Sequence, residues 1–159
     1  MIKLFCTRGL LGLLLLLAVS WLVACRPVQA ATEKLMQLER TACMGPCPVD
    51  QLTVYSDGRL EYKGGENAPR QGAYVGRLTA AERKQLVAKF DAANFFAFQD
   101  SYETSKLDYP TKYITYWKAG RSKRIRDYDG APAALKALEA ELIKLIKADR
   151  WQQRVIPAK

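Results

Sequence analysis

Cys43 and Cys47 lie in the stretch Cys43-Met44-Gly45-Pro46-Cys47-Pro48, and they are the two cysteines left for chemistry in a folded domain. Of the other two, Cys6 lies within an apolar leader and Cys25 ends it. A thiol pair offers a structural disulfide, thiol–disulfide exchange or metal ligation. Gly45-Pro46 supplies a turn that brings the α-carbons into disulfide range, and spare cysteines pair in an oxidising envelope. The closed loop is short, so such a clip would contribute about 2 kcal/mol. An exchange catalyst would place one thiol at a helix N-terminus to lower its pKa, whereas the residues after Cys47 read as a strand. A thiol–disulfide or other enzyme using Cys43 and Cys47 is therefore the alternative reading, and a structural disulfide the first.

The chain contains no histidine. That removes Ser-His-Asp and Cys-His catalysis and the usual imidazole ligands of zinc and copper. Cys-x-x-x-Cys-Pro resembles the copper motif of cytochrome oxidase copper-delivery proteins, but those also need a distant histidine and a thioredoxin-like setting. Gly64-Gly65 lacks the Lys-Ser/Thr of a phosphate loop. Asp50, Asp57, Asp100, Glu103 and Asp108 show no spacing that marks a glycosidase-like pair. No catalytic residue, metal site or cofactor is expected.

Contact chemistry is the remaining candidate. The polar stretch 100–110 has no regular pattern and carries Tyr102, Asp108 and Tyr109, which makes it a candidate binding loop. Downstream, Lys118, Arg121, Lys123, Arg124 and Arg126 make a basic hairpin. These charges would either bind an anionic surface or guard an edge strand from aggregation, and the edge reading is preferred.

The address is read from residues 1–34. Lys3 and Arg8 precede a leucine-rich apolar run at 10–23 of signal length. It ends Leu22-Val23-Ala24-Cys25, which looks like a bacterial lipobox with Cys25 as the lipidated residue. Ordinary secretory cleavage after Ala30 and an uncleaved anchor remain open. Two or three acyl chains give stable anchoring where one does not. Arg26 after the cysteine favours the outer membrane over the inner. The expected organisation is a lipoprotein signal peptide at 1–24, a tether at 25–34, one domain at 35–151 and a tail at 152–159. Losing the leader removes Lys3 and Arg8 and no acid, so the formal net charge of +9 falls by two and the mature chain stays basic. For an exported, lipid-anchored protein facing the periplasm, the partners this implies are the membrane, an envelope protein or an anionic polymer, and not nucleic acid.

These residues are carried by elements legible in the pattern. Strands are expected at 35–41, 51–55, 59–63, 72–78, 113–117 and 122–128, with turns at Asp57-Gly58 and Ala119-Gly120. Thr79-Ala80-Ala81-Glu82 is a capping box for a helix with Leu86, Val87 and Phe90 on one face, ending at Asn94. Pro132 suits the first turn of a second helix, whose stripe is Leu135, Leu138, Leu142, Leu145 and Ile146. Trp151 would close the core. The fold class is α+β: an antiparallel sheet of about five or six strands, built from hairpins, with two helices packed on one face.

Leu38-Glu39-Arg40-Thr41-Ala42-Cys43-Met44-Gly45-Pro46-Cys47-Pro48-Val49, then Leu52-Thr53-Val54 and Asp57-Gly58, resembles the opening of a bacterial exported family, domain of unknown function family 6438. The likeness continues through Gly72, Phe95-Phe96, Tyr102, Asp108, Pro110, Pro132, Leu135 and Trp151, and covers most of the mature chain. Asp50 departs from the aromatic typical of that family. The resemblance implies no activity. The reading is a lipid-anchored envelope protein, a non-catalytic binding or scaffolding module.

Overall fold

The computed structural model describes residues 32–105 and 108–154. The expected leader, Cys25, the tether up to residue 31 and the tail from residue 155 lie outside the described residues.

Among the described residues there are eight strands and two α-helices: β1 Lys34–Arg40, β2 Asp50–Tyr55, β3 Arg59–Gly64, β4 Gly72–Arg77, α1 Ala80–Ala92, β5 Ser101–Tyr102, β6 Lys112–Lys118, β7 Arg121–Asp127, α2 Ala133–Lys147 and β8 Gln152–Gln153. They form one sheet in the order β5-β7-β6-β1-β2-β3-β4-β8. Every pairing is antiparallel except β5 with β7. The class is α+β, but the strand count is eight and not five or six. The two additional strands have two residues each, too few to leave a hydrophobic period. β5 falls in the stretch expected to be irregular, and β8 in the expected tail. Both lie on the sheet's edges, where short strands limit edge-to-edge pairing.

Period-two alternation sorts the side chains onto two faces. Met36 and Leu38, Leu52 and Val54, Leu60 and Tyr62, Ile114 and Tyr116, and Ile125 point to one face and are almost fully buried. Both helices cover that face with Leu86 and Phe90 of α1 and Leu135, Leu138, Leu142 and Ile146 of α2. Phe90 meets Tyr116 at 5.0 Å between ring centroids. Trp151 packs on Tyr62 at 5.5 Å and donates to the Leu145 carbonyl, closing the core as expected. Among the described residues, neither helix covers the opposite face. Its central row pairs Thr115, Gln37 and Thr53 across three strands, with Gln37 donating to the Thr53 hydroxyl at 3.3 Å.

The local signals act where the sequence places them. Thr79 and Glu82 cap α1 reciprocally. Asn94 adopts the left-handed conformation just past the helix, with φ 49°. Pro132 is the N-cap of α2 and not a residue of its first turn. At Gly58 (φ 85°), a Cβ would meet the Leu78 carbonyl oxygen at 2.8 Å, and that same approach carries the Leu78 N–H to the Gly58 carbonyl. Ala119 and Gly120 both take positive φ in the β6–β7 turn, as a two-residue hairpin requires. Among the described residues no helix is long and apolar enough to cross a membrane.

The strand directions give the sheet two distinct ends. One holds residue 33, the β2–β3 turn and the β6–β7 turn. The other holds the Cys43–Cys47 loop, the loop before β6 and the N-terminus of α2.

Candidate functional site

Cys43 and Cys47 are disulfide-bonded, with α-carbons 5.7 Å apart. Gly45 folds the closed loop onto itself: its N–H approaches the Cys43 sulfur at 3.3 Å, and its carbonyl accepts from the Cys47 N–H at 2.8 Å. The loop then feeds β2 and not a helix. Paired hydrogen bonds between Val49 and residues 65 and 66 hold its exit. The clip projects one large apolar side chain, Met44, at 85 % exposure.

Beside it runs the loop before β6. Thr41 and Thr111 join the two loops: the Thr41 N–H donates to the Thr111 carbonyl at 3.0 Å, and the Thr111 N–H to the Thr41 hydroxyl at 3.2 Å. Tyr109 is 44 % exposed. Its N–H donates to the Tyr128 hydroxyl, and its ring meets Tyr128 edge-on at 6.4 Å. Asp108 is exposed and holds φ 66°. Tyr102 instead packs against the core, its hydroxyl accepting from the Gln99 N–H. Of the three residues expected to line a binding loop, Asp108 and Tyr109 are thus at the surface and Tyr102 is built into the framework.

The basic hairpin divides between the faces. Lys118 pairs with Asp91 at 2.6 Å, and Arg121 lies over the Phe96 ring at 4.5 Å. Lys123 pairs with Asp100 and donates to the Phe96 and Phe98 carbonyls, tying β7 to the turn after α1. Arg124 and Arg126 lie on the open face and pair with Glu39 at 3.0 Å and Glu103 at 2.7 Å. These five cations therefore do not form one patch.

Beneath the clip lies a feature that the sequence reading missed. Asp127, Lys112, Arg40 and Asp50 form a charged row across β7, β6, β1 and β2 on the helix-covered face. Arg40 forks onto Asp50 with contacts of 2.7 and 2.5 Å, and Tyr62 donates to the same carboxylate at 2.8 Å. Lys112 donates to Asp127 at 2.8 Å and to Glu139 of α2. Asp50, Asp127 and Glu139 are buried. Burial raises the Tyr62 hydroxyl well above its usual range, and its bond to Asp50 adds to the effect. Burial also raises Glu139 to about 7; Lys112 opposes this and the facing Asp127 carboxylate reinforces it. Lys112 is raised despite its burial because both carboxylates accept from it. Among the described residues, Asp127 Oδ1 and Glu139 Oε1 have no hydrogen-bond partner. A proton on Glu139 gives this carboxyl pair the donor it lacks. The row ties β7, β6, β1 and β2 to one another and to α2 at the end of the sheet from which the two loops project.

Among the described residues, no group of three or more Cys, Asp or Glu side chains is placed to hold a metal ion. No curated protein and no solved structure matches the chain. The model of one family, described as a domain of unknown function (DUF6438), matches residues 34–146.

Proposed function

The chain belongs to the domain-of-unknown-function family DUF6438, and we propose that it acts as a lipid-anchored, non-catalytic binding module of the bacterial envelope whose contact surface is the clip end of the sheet. One observation carries this reading. Met44 and Tyr109 are the two large apolar side chains most exposed among the described residues, and they stand on adjacent loops joined through Thr41 and Thr111. Exposed methionine and tyrosine on a fixed support suit recognition: methionine adapts its shape to a partner, and tyrosine adds amphipathic contact area at low ordering cost. The disulfide holds one loop and the Tyr128 contacts the other. The anchor is supported by the lipobox-like run ending at Cys25.

Site-specific photo-crosslinkers at positions 44 and 109 in intact cells test the surface, with position 75 on the open sheet face as control. The expected result is a discrete adduct from 44 and 109 and none from 75. Equal labelling from all three, or none from 44 and 109, overturns the assignment. The anchor is tested by the mass of the purified protein's N-terminal peptide, which should carry acyl chains on Cys25. Cys25→Ala should release the protein from membranes.

A further inference from the structure

The opposite end of the sheet has a different chemistry. A concavity of about 500 Å³ opens there, around the β6–β7 turn and the start of β1. Its charged lining is Lys34, Lys118 and Arg121 against the single carboxylate Glu33. Lys34 sits over the Trp117 ring at 5.9 Å and Arg121 over Phe96 at 4.5 Å. Both cations therefore face aromatic rings, where Lys118 has the Asp91 carboxylate. Leu35 and Val87 add apolar wall. Half-buried tryptophan beside basic side chains is the composition that settles at a bilayer's headgroup level.

The chain path brings this end close to any anchor. Glu33 is already fixed to the β2–β3 turn: its carbonyl accepts from the Ser56 N–H at 2.8 Å, and its N–H donates to the Ser56 hydroxyl at 3.1 Å. The spacer is therefore shorter than the expected tether. From Cys25 to Thr32 it spans at most about 25 Å when fully extended. We infer that this end of the domain, centred on Trp117, Lys34 and Arg121, docks on the anionic surface of the bilayer and turns the clip outward. The inference rests on the lipid anchor of the proposed function.

The test uses the full-length protein purified from membranes and reconstituted into brominated vesicles of phosphatidylcholine, alone or with phosphatidylglycerol. Trp117 is isolated from the other tryptophans as the difference between the parent and Trp117→Phe. The expected result is lipid quenching of Trp117 that is at least twofold greater in the anionic vesicles. Combining Lys34→Gln with Arg121→Gln should reduce it at least twofold, and raised ionic strength should weaken it in the parent protein, where no substitution is involved. No Trp117-dependent quenching in an acylated, vesicle-bound protein overturns the inference and leaves the anchor standing. Equal quenching in both vesicle types also overturns it. Quenching without acyl chains on Cys25 supports the docking surface and overturns the anchor.

Discussion

At Glu139 burial works against ionisation and Lys112 works for it, and burial prevails. The folded protein holds this proton more tightly than an ordinary Glu with a pKa of 4.5 does. The resulting stabilisation is complete below about 4.5 and is lost as pH rises through about 7, an effect on the order of 3 kcal/mol at most. Thermal melts should therefore show stability falling between pH 5 and pH 8. Glu139→Gln should flatten that profile, because the amide keeps an oxygen for Lys112 and offers an N–H to a carboxylate. Parallel profiles for parent and variant would place the titration elsewhere. At the clip, Cys43→Ser with Cys47→Ser should cost about 2 kcal/mol by denaturant melting and leave the circular dichroism unchanged. Two free thiols in protein taken from the envelope would contradict the structural disulfide. The pairing of Cys43 with Cys47 was legible because both thiols and the Gly-Pro turn are local. The buried row was legible only in part: Arg40, Lys112 and Asp127 fall in phase with Leu38, Ile114 and Ile125, and Glu139 lies within the apolar stripe of α2. Their meeting depends on the order of distant strands, which periodicity does not contain.

Among the elements, those with strong local chemistry stand where the sequence puts them. The reciprocal Thr79–Glu82 cap is complete, with the Glu82 N–H donating to the Thr79 hydroxyl at 3.2 Å and the Thr79 N–H to the Glu82 carboxylate at 2.8 Å. Thr79→Ala should lower stability by about 1 kcal/mol, seen as a drop in melting temperature of about 4 °C. A shift under about 1 °C would show that packing of Leu86 and Phe90 alone sets the helix start. β5 and β8 escaped detection because their partners, not their own residues, define them. Ser101 and Tyr102 extend because the Arg126 and Tyr128 N–H groups face the Asp100 and Tyr102 carbonyls. Gln152 and Gln153 lie against β4 because Trp151 holds the chain over Tyr62.

For the whole molecule, β1 is the axis. It is central in the sheet, lies between β2 and β6, and buries Met36 and Leu38 completely. Amides of Met36, Leu38 and Ile114 should exchange with solvent only on global unfolding, while those bridging β4 to β8 and β7 to β5 should exchange by local fraying. Hydrogen exchange resolved by residue would contradict this if the edge pairings were protected as strongly as β1. The sheet's polarity also gives its two ends different chemistry, with the clip and its exposed Met44 at one and Trp117 with its neighbouring cations at the other.

The central position of β1 bears on how the chain matures. This strand leads the domain out of any channel that passes it N-terminus first, and one of its flanks stays empty until β6 follows; at the clip end, Thr41 waits for Thr111, 70 residues behind it. The meander from β1 to β4 pairs strands that are neighbours in the chain, whereas Tyr62 meets the Trp151 ring only when the far end of the domain arrives. Non-local closure of this kind is slow. The interval before β6 docks is the one in which the nascent domain would need a chaperone.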